Sequence, residues 1–438
     1  MVKTPIDGKV VTEVINNFGI HPVGKGSIRE IVKIVNDIER ITGEKFIRME
    51  MGVPGLDPAA VGVEAEIKAL KSGVASKYPN IEGIPSLKKE AARFIKLFMN
   101  IEVPEECCIP TVGSMMGGMA SFMVVNRSDQ YRIGTLFLDP GFPVQKQQCL
   151  VLGHEFGSFD FYDFRGDKLE AKLEEELNMG KYSSLLYSNP NNPSWICLTE
   201  KELEVIGKIS RKYDVTVIED LAYFAMDFRN DLSQPGKPPY QPTVARYTDN
   251  WLLLISSSKA FSYAGQRIGM MIVSPTLFNR KFPDLKRYYS SEKFGHAMIF
   301  GALYALSAGA AHTPQFALAA ILKAVNDGEY NFVEVVKEYG EKAKIMKQLF
   351  TKYGFQIVYD KDLDEPIADG FYFTISYEGF DGVELVEELL FYGISAISLN
   401  ITGSAYNEGL RACVSLVSRD QFGDLEHRLK CFSENHPL

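Results

Sequence analysis

Short apolar runs alternate with longer segments through the middle of the chain, and this rhythm limits the possible folds more than any other feature. Each run stops at proline, aspartate or serine, and the five runs are "GTLFLDP" from Gly134, "SSLLYSNP" from Ser183, "VTVIED" from Val215, "WLLLISSS" from Trp251 and "GMMIVSP" from Gly269. Continuous apolar runs of this length are typical of strands that are buried on both faces. The predicted fold class is therefore α/β, with a mostly parallel, mixed central sheet flanked by helices.

The segment between the second and third runs predicts a helix. Thr199 and Glu202 have the spacing of a capping box at its start, and the helical segment extends to Tyr213. Strand, helix and strand in this order form a βαβ unit, so we expect the two strands to be parallel.

Three polar side chains, Asn192, Asp220 and Lys259, lie at or just beyond the ends of predicted strands. In open α/β sheets, ligands bind beyond the carboxyl ends of the parallel strands. We therefore expect these three side chains to converge at one edge of one sheet.

The regions outside these runs have other patterns. Near the start, apolar residues in "GSIREIVKIVNDIER" follow helical spacing, and the predicted buried face is Ile28, Ile31, Val32, Val35 and Ile38. After about residue 310, a long helix in "FVEVVKEYGEKAKIMKQLF" leads to the strand-like "GFQIVYD" and "DGFYFTISY", which predicts a separate α+β domain. Residues 229–249 are polar and rich in proline, so this stretch is either a lid or an inert surface loop.

Composition excludes several classes of protein. The 438 residues are enough for two domains, and 46% hydrophobic with 24% charged residues is typical of a globular protein. A net charge of −9 argues against a nucleic-acid surface. The six cysteines form no CxxC pair and the six histidines have no metal-binding spacing, so we expect reduced thiols, a cytoplasmic protein and no metal site.

One segment needs a membrane check, because the stretch from Phe294 to Leu322 carries no Asp, Glu, Lys or Arg. It contains two histidines and the polar sequence Thr313, Pro314 and Gln315, which a membrane span would not favour. We expect one or two buried helices here, at a subunit contact, rather than a span. The N-terminal sequence also lacks the apolar core of a signal peptide.

The stretch "SSSKAFSYAGQRIG" places a lone amine among small side chains, where a planar group has room to approach it. Lysine is the usual residue for a Schiff base, since burial readily lowers its pKa. Arg267 offers a two-pronged donor for phosphate and Ser256 adds a hydroxyl. Considered alone, the stretch could equally be a flexible solvated loop.

Three further stretches are each ambiguous alone. "SNPNNPSW" is a rigid turn that can direct amide groups, or an ordinary turn. In "IEDLAYF", Asp220 either meets a cation at the sheet edge or caps the next helix. In "TVGSMMGG", Gly113 and Ser114 open an apolar helix whose free N–H groups can bind phosphate, although Gly-Ser is also a routine helix start.

Together these stretches indicate a binding site for one ligand that has a phosphate, an aldehyde and a ring nitrogen. The phosphate would lie near Ser114, Ser256 and Arg267, the aldehyde would condense with Lys259, and Asp220 would keep the ring nitrogen protonated. Pyridoxal 5′-phosphate (PLP) has these three groups.

With these motifs in place, the sequence resembles the fold-type I PLP-dependent aminotransferases of class I/II, in order from Gly52 to Arg411. The turn resembles the family's NPxNPTG and "SSSKAFSYAGQRIG" resembles its SxSKxxxxxGxRxG signature. The resemblance implies a small α+β domain built from residues 1–60 and 310–438, and a large PLP-binding domain from residues 61–309. It also implies transfer of an amino group between an L-amino acid and a 2-keto acid, through a lysine Schiff base and a ping-pong cycle.

The resemblance assigns roles to individual residues. Lys259 is implied as the Schiff-base lysine, Asp220 as the partner of the pyridinium nitrogen, and Asn192 and Tyr223 as contacts of the phenolic oxygen. For the remaining positions it implies phosphate contacts, ring stacking, substrate binding and a residue of the neighbouring subunit: Gly113, Ser114, Met115, Ser256 and Arg267 for phosphate; Phe142 for stacking; Gly52, Asn192 and Arg411 for substrate, with Arg411 on the α-carboxylate; and Tyr78 reaching the phosphate of the other subunit of a homodimer.

The chain departs from the family pattern at four positions, one of which is Ser194 in place of the usual threonine. Trp195 stands where the family usually has glycine, so it could push the backbone or fill part of the pocket. Phe142 replaces a commoner tyrosine, and Met115 replaces a polar residue and leaves its backbone N–H for the phosphate. The departures affect the shape of the substrate site rather than the catalytic groups.

Two alternatives stay open at this point. The same parts serve PLP-dependent carbon–sulfur lyases and related eliminating enzymes, racemases and cyclopropane-forming synthases. An aminotransferase-like domain can also act as a ligand sensor fused to a DNA-binding head, which the acidic charge of −9 disfavours. The amino donor and keto acceptor are not determined by these motifs.

Overall fold

The computed structural model describes residues 4–438, which form a seven-stranded sheet, a four-stranded sheet and two two-stranded pairs. The strands, in chain order, are β1 (Ile47–Arg48), β2 (Cys108–Thr111), β3 (Gly134–Asp139), β4 (Phe156–Asp160), β5 (Tyr182–Ser188), β6 (Thr216–Leu221), β7 (Trp251–Ser256), β8 (Gly269–Val273), β9 (Gln356–Ile357), β10 (Lys361–Asp362), β11 (Glu365–Pro366), β12 (Tyr372–Ser376), β13 (Ile394–Ser395), β14 (Ile397–Ser398) and β15 (Leu410–Cys413).

The larger sheet has seven strands in the order β2-β8-β7-β6-β5-β3-β4. From β4 to β7 all neighbours are parallel, whereas β8 runs antiparallel to both β7 and β2. All five apolar runs form strands of this sheet. The predicted α/β class with a mostly parallel, mixed sheet is confirmed.

Helices cover this sheet and build the rest of the chain. They are α1 (Gly8–Phe18), α2 (Ile28–Thr42), α3 (Ala60–Lys71), α4 (Pro85–Met99), α5 (Gly113–Val125), α6 (Pro143–Val151), α7 (Leu169–Leu177), α8 (Glu200–Tyr213), α9 (Ser257–Ala260), α10 (Pro275–Asn279), α11 (Phe294–His296), α12 (Tyr304–Ser307), α13 (His312–Asn326), α14 (Phe332–Lys352), α15 (Gly382–Phe391) and α16 (Phe422–Asn435).

Alternate residues of the central strands face two separate cores. In β7, Leu252 and Leu254 pack into a core shared with α5, whereas Leu253 and Ile255 pack into a core shared with α4 and α8. The strand is therefore apolar at consecutive positions because helices cover both of its faces.

The predicted capping box is present at the start of α8. The Thr199 side chain accepts from the N–H of Glu202 at 3.3 Å, and Glu202 Oε2 accepts from the N–H of Thr199 at 3.0 Å. The helix joins β5 to β6, which pair in parallel. The predicted βαβ unit is confirmed.

The smaller sheet is antiparallel, in the order β14-β15-β12-β9, and α14, α15 and α16 accompany it. The N-terminal region joins this part of the chain, because β1 pairs in parallel with β13. In α2, Ile31, Val35 and Ile38 are buried as predicted, Ile28 and Val32 are half-buried, and Ile34 is buried as well. The boundaries at residues 60 and 309 stay predictions, and residues 1–3 lie outside the described chain.

The uncharged segment after Phe294 forms helical pieces over 294–307 and 312–326. Ala308, in left-handed conformation, ends the first piece. Within residues 4–438, no helix combines the length and the apolarity that crossing a bilayer requires.

The proline-rich stretch 229–249 lies against α4. The N–H of Gly236 donates to the carbonyl of Leu97 at 2.8 Å, and the N–H of Gln241 donates to the carbonyl of Phe98 at 2.9 Å. These bonds and the buried Gln241 side chain hold the stretch against α4, one of the helices that cover the large sheet. This placement favours a surface loop over a lid.

Candidate active site

A cavity of about 580 Å³ opens beyond the carboxyl ends of β5, β6 and β7. The three strand-end residues from the sequence converge there, as expected for a parallel sheet. The predicted site residues that line the cavity are Gly52, Ser114, Met115, Phe142, Asn192, Asp220, Tyr223, Ser256, Lys259, Arg267 and Arg411.

Lys259 enters the cavity from α9, the single helical turn that directly follows β7. Its Nζ lies 5.8 Å from the ring centroid of Phe371. Burial of the amine, together with the positive charges of Arg267 and Arg411, lowers the pKa of Lys259 to about 8. The lowered pKa gives this amine a much larger neutral fraction near neutral pH than an ordinary lysine has, and the neutral amine is a nucleophile and a proton acceptor.

Asp220 is a buried carboxylate near the end of β6. Gln145 Nε2 donates to its Oδ2 at 2.8 Å, and the N–H of Ala222 donates to its Oδ1 at 3.2 Å. Burial raises the pKa of Asp220 to about 6, and the carboxylate forms no ion pair within residues 4–438. A buried anion with only neutral donors is suited to a ligand that brings a cationic N–H.

The start of α5 and Arg267 form a cradle of donors. Val112, the N-cap of α5, provides no side-chain cap, so the first N–H groups of the helix are free for a ligand. A Cβ on Gly113 would lie 2.7 Å from Arg267 Nη2, so only glycine lets the guanidinium approach the backbone this closely. Ser114 and Ser256 add hydroxyls to the same cavity, and this donor set suits a phosphate.

Arg411 lies at the other end of the cavity and is 1% exposed. Its Nη2 donates to the carbonyl of Glu50 at 2.6 Å, and its Nη1 donates to Asn192 Oδ1 at 3.4 Å. Its Nε has no hydrogen-bond partner. A buried guanidinium without a carboxylate partner is a binding site for a carboxylate ligand.

Sequence reasoning missed Tyr372, which connects several of the predicted residues. The hydroxyl of Tyr223 donates to that of Tyr372 at 2.8 Å, and the Arg411 guanidinium carbon lies 4.6 Å from the centroid of the Tyr372 ring. A Cβ on Gly52 would lie 2.1 Å from the Tyr372 hydroxyl, which explains glycine at that position. The strand "DGFYFTISY" was found in the sequence, but its pattern did not show which side chains face the cavity.

Trp195 takes a left-handed backbone conformation, with φ of 64°, and is fully buried. Its ring packs edge-on against Tyr223 and Tyr372, with centroids 5.4 and 6.2 Å apart. A Cβ on Gly370 would lie 1.9 Å from the Trp195 ring, so glycine makes room for the indole. The backbone at position 195 thus has a conformation that favours glycine, and the indole packs behind the tyrosines and does not line the cavity.

Tyr78 does not line this cavity. It lies in the stretch before α4 and is 96% exposed. Gly113 is also absent from the cavity wall, because it lies behind the Arg267 guanidinium. The remaining predicted residues are brought together at one site.

Comparison with known proteins places this geometry in context. The family described as "Aminotransferase class I and II" matches residues 44–425. A protein of Methanocaldococcus jannaschii named "Probable aspartate aminotransferase" is 23% identical over 401 residues, which cover 91% of this chain and 96% of the relative. An aspartate aminotransferase of Pyrococcus horikoshii is 23% identical over 351 residues, which cover 76% of this chain and 77% of the relative.

Solved structures show the same fold. An alanine aminotransferase from Pyrococcus furiosus superposes with a TM-score of 0.76 at 19% identity, and the match covers 95% of this chain and 100% of that one. The relatives are named aminotransferases, so transamination is favoured over carbon–sulfur lyase activity. On the match over residues 44–425, the chain belongs to the class I and II aminotransferase family.

Proposed function

We propose that this aminotransferase uses PLP to move an amino group between an L-amino acid and a 2-keto acid. The observation that carries the proposal is the set of four complementary groups around one cavity of about 580 Å³. Lys259 supplies an amine with a lowered pKa, Asp220 a buried anion, Arg267 and the start of α5 a set of phosphate donors, and Arg411 a buried cation for a carboxylate.

The residues fit PLP at each of its functional groups. The uncapped start of α5 and the glycine that admits Arg267 suit the phosphate, with Ser114, Met115 and Ser256 at the same wall. Asp220 lacks a cationic partner and would hold the ring nitrogen in its protonated form. Phe142, Asn192 and Tyr223 line the cavity where the ring face and its phenolic oxygen would lie.

When bound, PLP supplies an aldehyde that condenses with amines and a cationic ring that withdraws electrons from the attached carbon. The chain's own residues then control the proton. Because burial lowers its pKa to about 8, Lys259 Nζ is neutral more often than an ordinary lysine amine, so it can accept the proton from the substrate's Cα and later return it. Arg411 and Asn192 would hold the α-carboxylate and thereby direct the Cα–H bond toward this amine.

We also propose that the enzyme is a cytoplasmic homodimer in which Tyr78 contacts the phosphate site of the other subunit. The 96% exposed tyrosine has no role in its own chain's cavity. Phe300 and Tyr304 are exposed by 46% and 60% on the uncharged helical segment, which supports an apolar contact nearby. Five of the six unpaired cysteines are buried, in keeping with a reducing compartment.

The test is an amino-donor screen with the purified, PLP-loaded enzyme. Single L-amino acids are added first and the visible absorbance of the cofactor is followed; 2-oxoglutarate or pyruvate is then added and the new amino acid is measured. We expect bleaching by the donor and recovery by the acceptor. Ammonia release without an acceptor would instead indicate a lyase.

A matched pair of variants makes the screen specific for the site. Lys259→Ala should lose turnover and the lysine-bound absorbance of the cofactor, because it removes the amine. Lys237→Ala removes an exposed lysine of the surface loop and should behave like the unmodified enzyme. Turnover retained by Lys259→Ala would contradict the proposal.

A further inference from the structure

A cluster of charged side chains lies next to the turn that carries Asn192 (residues 189–198) and outside the cavity wall. We call it the charged cluster, and it contains Arg165, Glu202, Arg229 and Asp362, from four separate segments of the chain. Arg165, Glu202 and Asp362 are buried. The four side chains do not line the cavity, and the proposed chemistry does not use them.

Asp362 is the centre of the charged cluster. Its Oδ1 accepts from Arg165 Nη1 at 2.8 Å, and its Oδ2 accepts from Arg229 Nη2 at 2.7 Å. Arg165 in turn donates to the two carboxylate oxygens of Glu202, from Nε at 2.5 Å and from Nη2 at 2.8 Å. Because a two-pronged pair of this kind fixes the direction of a guanidinium, Arg165 has one well-defined orientation toward Asp362.

The charged cluster binds both backbone groups of Cys197, near the end of the turn. The N–H of Cys197 donates to Asp362 Oδ2 at 3.2 Å, and its carbonyl accepts from Arg165 Nη2 at 3.2 Å. Hydrogen bonds with an ionised partner are stronger than those between neutral groups. The end of the turn is therefore held by charged side chains that belong to other segments.

Hydrogen bonds inside the turn connect its end to Asn192. The N–H of Asn191 donates to the carbonyl of Ile196 at 2.9 Å, and the N–H of Trp195 donates to the carbonyl of Asn191 at 3.0 Å. Asn192 follows directly, and its Oδ1 accepts from Arg411 Nη1 at 3.4 Å. A shift at the end of the turn would therefore move the side chain that faces the cavity.

Stability alone is a weak reason for such a cluster. Buried ion pairs contribute little net stability compared with apolar side chains of the same volume, because each charge loses its hydration. Their geometry, in contrast, selects one arrangement of the segments that supply them. Here Asp362 lies on the β10–β11 hairpin, between β9 and β12 of the smaller sheet, and Arg229 begins the proline-rich stretch 229–249. The cluster thus joins the hairpin and this stretch to the turn.

We propose that Asp362 is a positioning residue, which acts through Cys197 to hold the turn in the conformation that presents Asn192 to the cofactor and the substrate. The inference rests on the proposed function, because it names a residue that positions a side chain of the same cavity. It also gives the stretch 229–249 a role, since Arg229 binds the second oxygen of Asp362.

The kinetic test is a double-mutant cycle between Asp362 and Asn192. Asp362→Asn removes the charge with little change in volume, and kcat/KM with the amino donor found in the screen should fall roughly 10-fold. In an Asn192→Ala background the same substitution should cost less than about twofold, because the positioned amide is already absent. Equal losses in the two backgrounds would show a general structural role, and no loss would show no role; either result overturns the proposal.

Asp360→Asn is the matched control. Asp360 lies two residues away, directly before the same hairpin, and accepts from the Tyr162 hydroxyl at 3.1 Å instead of contacting the turn. This variant should change kcat/KM by less than about twofold in either background.

Trp195 provides a spectroscopic measurement that needs neither PLP nor turnover. The chain has two tryptophans, so in a Trp251→Phe background the fluorescence comes from the fully buried indole within the turn. If Asp362 holds the turn, Asp362→Asn should raise the acrylamide quenching constant of the folded, PLP-free protein at least about twofold, because the turn opens locally. Asp360→Asn should leave the constant unchanged. An unchanged constant in Asp362→Asn would also overturn the proposal.

Arg229→Gln is a milder second variant, to be used if Asp362→Asn does not fold. Asp362→Asn leaves two cations with one partner fewer, whereas the Arg229 side chain is 35% exposed and its removal leaves the bond between Asp362 and Arg165 in place. We expect Arg229→Gln to lower kcat/KM and to raise the quenching constant by a smaller factor, about twofold each. No change in either quantity would overturn the proposal.

The two measurements separate this inference from the proposed function. If no amino donor is converted but the quenching of Trp195 depends on Asp362, the proposed function fails and the positioning of the turn stands. If donors are converted and Asp362→Asn changes neither kcat/KM nor the quenching constant, the positioning role fails and the aminotransferase proposal stands.

Discussion

The hydroxyl of Tyr223 donates a 2.8 Å hydrogen bond to the hydroxyl of Tyr372, and both rings are buried at the cavity wall. This bond connects two functional ends of the site. Tyr223 faces the region proposed for the phenolic oxygen of PLP, whereas the ring of Tyr372 lies against the Arg411 guanidinium. The two subsites therefore share one pair of tyrosines.

Removing only the Tyr372 hydroxyl breaks the hydrogen bond that connects the two ends of the site. In Tyr372→Phe the ring remains beside Arg411, but the Tyr223 hydroxyl loses its buried acceptor, which costs about 1–3 kcal/mol unless it finds another. We expect kcat to fall roughly 10-fold with KM for the amino donor within about twofold, measured by steady-state kinetics.

Tyr377→Phe is the matched control, because its hydroxyl donates to the carbonyl of His436 and its side chain does not line the cavity. It should lose stability without losing kcat. A Tyr372→Phe enzyme with unchanged kcat would show that the bond between the two tyrosines does not position Tyr223.

Asp220 should make the PLP-free protein less stable at neutral pH. Burial raises its pKa from 3.8 to about 6, so the folded protein binds this proton more tightly than the unfolded chain does. Stability from this group is complete below about pH 4 and is lost as the pH rises through 6. We expect Asp220→Asn to gain up to about 3 kcal/mol in unfolding free energy at pH 7.

Urea unfolding of both PLP-free proteins between pH 4 and pH 8 measures this gain. The difference should shrink to less than about 1 kcal/mol at pH 4, where the carboxyl is protonated in the folded protein and partly protonated in the unfolded chain, whose pKa is 3.8. The same substitution should weaken PLP binding, because a neutral amide no longer favours a protonated ring nitrogen. A variant less stable than the parent at every pH would contradict this account of Asp220.

The sequence predicted the large sheet well because its strands are covered on both faces. Continuous apolar runs such as the one from Trp251 mark such strands without any knowledge of their neighbours. Parallel pairing then follows from the helix that starts at Thr199. The convergence of Asn192, Asp220 and Lys259 was predictable for the same reason, since parallel strands end at one edge.

The residues that the sequence did not reveal depend on contacts between distant segments. Gln145 bonds Asp220 across 75 positions and Tyr372 bonds Tyr223 across 149. Neither residue belongs to a local motif, so no spacing rule identifies it.

Gly370 and Trp195 should be energetically coupled. A Cβ at position 370 would lie 1.9 Å from the indole ring, so Gly370→Ala alone should destabilise the protein by roughly 1–3 kcal/mol. In a Trp195→Gly background the clash is absent and the left-handed backbone at position 195 is no longer strained.

A double-mutant cycle in urea measures the coupling. We expect Gly370→Ala to cost less than about 0.5 kcal/mol in the Trp195→Gly background. Additive costs in the two backgrounds would show that the indole does not occupy the space left by Gly370.

Gly113 should be essential for phosphate affinity. Its φ of 69° is unfavourable for other residues, and a Cβ would lie 2.7 Å from Arg267 Nη2. In Gly113→Ala the guanidinium has to move away from the start of α5, so we expect the dissociation constant of PLP to rise at least about 10-fold. Gly153 also has a positive φ, of 68°, but its Cβ would meet nothing within 4 Å.

Gly153→Ala therefore controls for backbone strain without a contact to Arg267. Fluorescence titration of the PLP-free proteins compares the two variants. Equal PLP affinity in Gly113→Ala and the parent would argue against the phosphate cradle.

The central claim is that the amine of Lys259 condenses with the aldehyde of PLP in this cavity. Its pKa of about 8, lowered from the 10.5 of an ordinary lysine, gives this amine a larger neutral fraction at neutral pH than the other lysines of the chain's surface, and only the neutral amine condenses. The direct measurement is borohydride reduction of the PLP-treated protein followed by peptide mass spectrometry. The account predicts one stoichiometric phosphopyridoxyl group on the peptide that contains Lys259; a protein that remains unlabelled, or that carries the group on other lysines, would contradict it.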